Sequence, residues 1–204
     1  MKPNYWLDLF TGTTWEEFQK AGSSVSGFRE SRWKIVQKIA KGDYFLYYLT
    51  GVSHFIGILE VASVPCKRAD REIWHDDDFP CRFKVKPIVE LTPDTTIPVF
   101  ELRDRFSCFQ NLTSPHAWTG HFRSSPAKWK QTDGEAVVQA LLDARDNPVK
   151  RPTFCRLRPP VSEICRFISF SGLKEQIKQA AAYVRYLKPE FLDEHSESCE
   201  LEEA

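Results

Sequence analysis

Trp118 stands in the stretch NLTSPHAWTGHFRSSPAKW, among Pro, Ser, Thr, Gly, His and Arg rather than in an apolar-periodic run. A large flat ring in such a loop suits stacking on a nucleobase, which contributes about 1–3 kcal/mol per base and needs no particular sequence. His121 and Arg123 follow it closely, and both side chains can meet phosphate. The alternative for the indole is an anchor that fixes its loop against the core. Five histidines and the acidic run HDDD at 75–78 raise the question of a metal, with His116 and His121 as further ligands. Their spacing fits no standard ligand pattern, so neither a metal nor a cofactor is expected. The nucleophile elbow, the phosphate-binding loop and the zinc-protease signature are missing too. No catalytic residue is assigned, and the reading leans away from an enzyme.

Charge points to a partner class. The 28 Lys and Arg balance 28 Asp and Glu, but residues 189–204 hold seven acids and no base. Residues 1–188 therefore carry 28 bases against 21 acids, a net charge of +7. A basic body with an acidic tail fits a polyanion, because phosphate contacts supply most non-specific affinity for nucleic acid. Hydrophobic residues at 42% and aromatics at 13% exclude a disordered polymer. The six cysteines form no CxxC pair, which leaves reduced, packed thiols as the expectation. No run approaches the ~18 apolar residues that cross a bilayer, and MKPNYWLDLF lacks the apolar core of a secretory signal. A cytoplasmic protein with no membrane partner is expected.

The elements that must position these groups follow from periodicity. Tyr5 to Phe10 predicts a strand, and TGTTWEEF a helix start in which Thr14 caps and Glu17 is the capping-box partner. Trp15 and Phe18 share the buried face of that helix, which Gly22 ends. SRWKIVQKIAKGD predicts a second helix, capped by Ser31, with Trp33, Val36, Ile39 and Ala40 as its apolar stripe. YFLYYL (44–49) and HFIGILEVA (54–62), joined by TGVS, predict an antiparallel hairpin whose second strand is covered on both faces. In RFKVKPIVEL, Phe83, Val85, Val89 and Leu91 are expected on one face and Arg82, Lys84 and Lys86 on the other. Pro87 requires an edge or a bulge there.

A helix over 134–144 turns Val137, Val138, Leu141 and Leu142 inward. The fold class expected is α+β: a small mixed, mostly antiparallel β-barrel flanked by helices, with a C-terminal helical extension. Domain 1–146 is followed by a proline-rich basic linker at 147–160, a helical extension at 161–188 and a flexible acidic tail at 189–204. Within the extension, Leu173, Ile177, Ala180, Ala181, Val184 and Leu187 keep helical spacing over 171–188.

YWL near the start, GD before YFLYYL, FIGILEV, PCRFKVKPI and AWTGHF occur in an order that resembles the EVE domain, a branch of the PUA-like barrels related to YTH readers. The resemblance covers about Asn4 to Ala144. It implies a PUA-like barrel whose pocket takes one extruded, chemically modified base, sandwiched by aromatics and hydrogen-bonded along its edge. Trp118 then forms one wall. The other wall falls in SSVSGFRE, where relatives often carry tryptophan before the glycine; this chain has Ser26 before Gly27, with Phe28 as a replacement ring or Ser26 as a hydrogen-bonding group. Thr11 matches a pocket-lining position whose hydroxyl can address a base edge. Arg29 and Lys84, with His121 and Arg123, are expected on the nucleic-acid backbone. The function implied is a non-catalytic domain that binds DNA or RNA through a modified cytosine or adenine. Two alternatives stay open: a nuclease using His116, His121 and Lys84 or Arg123, and an adaptor whose helix at 171–188 binds a protein partner.

Overall fold

A computed structural model describes residues 2–151 except 69–72, 76, 77, 111, 113, 115 and 116. The expected helix at 171–188, the acidic tail, Asp76, Asp77, His116, Cys155, Cys165 and Cys199 lie outside the described residues. In chain order the strands are β1 (Tyr5–Phe10), β2 (Val25–Phe28), β3 (Tyr44–Leu49), β4 (His54–Val61), β5 (Cys66–Lys67), β6 (Cys81–Glu90), β7 (Ile97–Pro98) and β8 (Ala127–Lys128). The helices are α1 (Gly12–Lys20), α2 (Trp33–Val36) and α3 (Gln131–Asp146), with 3-10 segments over 30–32, 99–105, 107–109 and 117–122.

These strands form one sheet in the order β2-β6-β4-β3-β1-β8, with β5 beside β6 and β7 beside β4. Every pairing is antiparallel except β1 with β3. The sheet is curled, because β2 at one end of that order reaches β1 near the other, where the Ser26 hydroxyl donates to Asp8 Oδ2 at 2.7 Å. The α+β class and the mostly antiparallel half-barrel follow the expectation from the sequence.

Aromatic and aliphatic residues fill nearly every strand position because both faces of the sheet are covered. Tyr5, Leu7, Leu46, Tyr48, Phe55 and Ile58 pack into one core with Val137 and Leu141 of α3. Trp6, Phe10, Phe45, Tyr47, Ile56 and Leu59 pack into a second with Trp15 and Phe18 of α1 and with Phe28 of β2. The GD pair works as a tie between elements. Asp43 accepts hydrogen bonds from Trp6 Nε1 at 2.9 Å, the Asn4 backbone at 2.9 Å and the Ala40 backbone at 3.1 Å. Burial alone would raise its pKa, but these bonds hold the carboxyl below its ordinary value.

Three local expectations are corrected. Thr11, not Thr14, is the N-cap of α1; its hydroxyl accepts from Thr14 N, and Thr14 completes the capping box. Glu17 instead accepts from the His75 backbone at 3.3 Å and faces its Nδ1 at 3.1 Å. The second helix is short: only Trp33–Val36 is α-helical, and the apolar stripe reduces to buried Val36 and Ile39 with half-buried Trp33. In β6 the register jumps, since Ile58 pairs with Val89 while Leu59 pairs with Pro87, leaving Ile88 as an extra residue beside the proline. That bulge reverses the alternation, so Phe83 and Val85 enter the second core whereas Val89 and Leu91 enter the first.

Helix α3 lies against β1 at Gly134, where an added Cβ would collide with the ring of Tyr5. Helix propensity alone favours alanine by ~1 kcal/mol, yet overpacking costs about 1–3 kcal/mol. Gly134→Ala is therefore expected to destabilise the protein, read as a lower midpoint in urea denaturation; a raised midpoint contradicts the close approach.

Candidate functional site

At the seam between the two ends of the sheet lies a recess of about 440 Å³. Its walls come from the β1–α1 junction (Leu9, Thr11, Thr14), from β2 and the turn after it (Gly27, Phe28, Arg29, Ser31, Arg32), from Phe79, and from the segment Arg123, Ser124, Ser125. Among the described residues, three arginines and no carboxylate belong to this lining, so these residues favour an anion at the mouth of the recess. Arg29 and Arg123 are exposed, and Arg123 donates to Thr119 Oγ1 at 3.3 Å. Arg32 is held more firmly. One of its terminal nitrogens donates to the Pro126 carbonyl at 3.0 Å, while its Nε is buried with no hydrogen-bond partner among the described residues. An unpaired buried donor costs about 1–3 kcal/mol.

Below the wall sits a group that nothing in the strand pattern marks. Asp8 is 2% exposed on the inner face of β1. It accepts from Ser26 at 2.7 Å on one carboxyl oxygen and from Ser125 at 3.3 Å on the other. Ser125 in turn accepts the Leu9 backbone N–H at 3.1 Å. Burial pushes the Asp8 carboxyl up to about 7, against the two serine hydrogen bonds that favour its ionised form.

Gly27 allows an aromatic roof over β2. A Cβ there would lie 2.6 Å from the Trp74 ring and 2.8 Å from Phe79 Cβ, so only glycine admits that indole. Trp74 is buried at 2% exposure, donates to the Thr14 carbonyl at 3.3 Å and meets Phe79 edge-on at 5.2 Å. The Arg82 guanidinium lies over its ring, 5.6 Å from the centroid. This burial of Arg82 leaves Lys84 and Lys86 as the exposed basic residues of β6.

The residues expected at the site are divided by the structure. Thr11, Phe28, Arg29 and Arg123 line the recess. Ser26 lies beneath it on Asp8. The Thr11 hydroxyl is engaged in the capping box and so addresses its own helix. Trp118 is elsewhere: it is 7% exposed in the first core, stacked on Phe109 at 5.3 Å and edge-on to Phe100 at 4.8 Å. Phe28 belongs to the second core, against Phe45 at 5.3 Å, so the two rings do not face each other across a slot. The polar composition around Trp118 is misleading because its apolar partners come from residues 99–109. Lys84 and His121 are exposed and are not among the lining residues. Asp8, Arg32, Ser125, Phe79 and Trp74 are the additions that only the fold reveals. Among the described residues no group of three His, Cys, Asp or Glu is placed to hold a metal, and no helix is long and apolar enough to cross a membrane.

No family model and no curated protein matches the chain. Among solved structures it resembles the YTH domain-containing protein Mmi1 in a complex with RNA, at 14% identity and a TM-score of 0.53, over 70% of this chain and 83% of that one. The Pho92 YTH domain in complex with m6A is similar at 12% identity and a TM-score of 0.51, over 68% of this chain and 83% of that one. At such identities the likeness concerns the fold, which is that of the YTH and PUA-like half-barrels.

Proposed function

We propose that this barrel is a nucleic-acid-binding module that takes one extruded, modified base into the recess at the seam of the sheet. The observation that carries the reading is the recess itself, of about 440 Å³, with three arginines and, among the described residues, no carboxylate in its lining. Arg29, Arg32 and Arg123 hold the phosphates on either side of the extruded nucleotide. Phe28 and Phe79 supply apolar wall, and Ser125 supplies the polar contact to the base edge. Support comes from the fold shared with a YTH domain solved with RNA and another solved with m6A. It comes also from the ordered motifs that resemble the EVE branch, the closer kinship we infer for this chain. Stacking is not the main source of affinity here. Hydrogen bonds and arginine contacts must instead offset the few kcal/mol of unstacking.

The test is fluorescence anisotropy with a short labelled RNA carrying one central 6-methyladenosine, against the same RNA unmodified. The modified RNA should bind more tightly. Arg32→Ala and Arg123→Ala should each weaken binding about tenfold and reduce the slope of log affinity against log salt by ~1. Unchanged affinity and slope in both variants, with circular dichroism showing intact folds, rules out the recess as the binding site. Trp118→Ala should cost ~3–5 kcal/mol of stability as a cavity in the core. Trp118→Phe, which keeps an aromatic ring in the core, should leave RNA affinity unchanged; a selective loss of binding in that variant, with its fold intact, returns the indole to the site.

The buried acid also leaves a signature in stability. A carboxyl that rises to about 7 on folding takes up a proton between its unfolded value of 3.8 and 7, so folding weakens as pH climbs through that window. The loss is on the order of 4 kcal/mol at most, by the usual 1.36 kcal/mol per unit. His54, held down to about 4 by burial and then by Arg151, works the other way, losing stability as pH falls from 6.5. Comparing Asp8→Asn with the parent in urea at pH 5 and pH 8 isolates the acid: the variant should gain relative stability at pH 8. An equal difference at both pH values excludes the buried titration.

A further inference from the structure

We propose that Asp8 sets, through the hydroxyl of Ser125, whether the wall of the recess offers a bound base a hydrogen-bond donor or an acceptor, and thereby which base edge is accepted. The inference rests on the reading of the recess as a base-binding site and assigns its selectivity to a residue that does not itself line it.

A serine hydroxyl has one proton and two lone pairs. In Ser125 one lone pair receives the Leu9 backbone N–H at 3.1 Å. Its remaining proton and lone pair are shared between Asp8, at 3.3 Å, and the recess that Ser125 lines. When Asp8 is ionised it can only accept, so Ser125 donates to it and turns a lone pair toward the recess. When Asp8 is protonated the acid proton must be placed on one oxygen. Ser26 is fully buried and bonded to Oδ2 at 2.7 Å, and reversing that bond would strand its own proton away from water. The acid proton therefore sits on Oδ1, donates to Ser125 and takes its last lone pair. The Ser125 proton is then released into the recess as a donor.

The groups around Asp8 come from β1, β2, β3 and the segments that line the recess. Its neighbours on the inner face of β1 are Trp6 and Phe10, both apolar in this contact. On β3 its register partner is Tyr47, whose hydroxyl donates to the Val89 carbonyl at 3.2 Å and whose pKa burial raises. On β2 it meets Ser26. From the turn after β2 and the 123–125 segment come Arg29, Arg32 and Arg123. Burial brings the carboxyl of Asp8 up to about 7, so its charge changes near neutrality. An ionised Asp8 favours a base edge that presents a ring N–H. A protonated Asp8 favours an edge that presents an unprotonated ring nitrogen, as a purine N1 with a methylated exocyclic amine does.

Two RNAs of identical sequence test this, one with central inosine (N1–H) and one with central 6-methyladenosine (bare N1), titrated by anisotropy at pH 5.5 and pH 8. The affinity ratio is expected to move about tenfold toward inosine at the higher pH, the worth of one hydrogen bond made rather than left unmade. Asp8→Asn and Ser125→Ala should each flatten that pH dependence while still binding RNA. A pH-independent ratio in the parent protein, with both RNAs bound and both weakened by Arg32→Ala, overturns the Asp8 relay and leaves the base-binding reading standing. A shift that survives in both variants likewise overturns the relay. Absence of binding to either RNA overturns the base-binding reading and this inference with it.

Discussion

The hydrogen bond from Ser26 to Asp8 joins strands that lie near opposite ends of the sheet order, and the recess exists because they meet there. Burying a carboxyl is costly unless it is well bonded. Here burial outweighs the two serine hydrogen bonds and pushes the carboxyl up to about 7. Closure of the curled sheet is thus achieved with a polar contact where an apolar pair would have packed more simply. That polar seam places a hydroxyl on the recess wall and three arginines around its lining.

The two cores divide the aromatic residues between separate tasks. Trp118, Phe109, Phe100 and Phe122 form a mutually packed cluster in the core that α3 covers, at centroid separations of 4.8 to 5.8 Å. They hold the long 3-10 segments onto the sheet. Trp74 reaches β2 from the segment after β5 and lies on Gly27, the position that follows Ser26. The chain therefore lacks a tryptophan at position 26, yet an indole from a different segment shields the same stretch of strand. The resulting recess is walled by phenylalanine, serine and arginine rather than by a pair of indoles.

What the sequence revealed depends on how local the physics is. The hairpin of β3 and β4, the buried Trp15 and Phe18 and the α3 face follow from periodicity, which two or three neighbouring residues suffice to establish. Thr11 was displaced by Thr14 as the expected cap because both can serve chemically, and only the path of the chain out of β1 decides between them. Asp8 was hidden for a different reason. In YWLDLF it alternates with Leu7 and Leu9 like the outer residue of a one-faced strand, whereas curling buries both faces. Composition could not decide between a stacking platform and a loop anchor for Trp118, because it describes the chain around a side chain and not the distant rings that enclose it. Arg32 could not be distinguished from any surface arginine until the fold enclosed its Nε.

The bulge at Ile88 has a consequence for how this domain can vary in length. Along β6 each residue is assigned to the inner or the outer layer by counting, so losing one residue from the regular part would turn the remainder of the strand inside out. Ile88 is outside that count, since Pro87 and Val89 already pair with successive residues of β4. It is the place in β6 where an alignment gap leaves every other side chain in its present layer, and relatives that pair the same strands without a bulge would differ from this chain there by a single deletion.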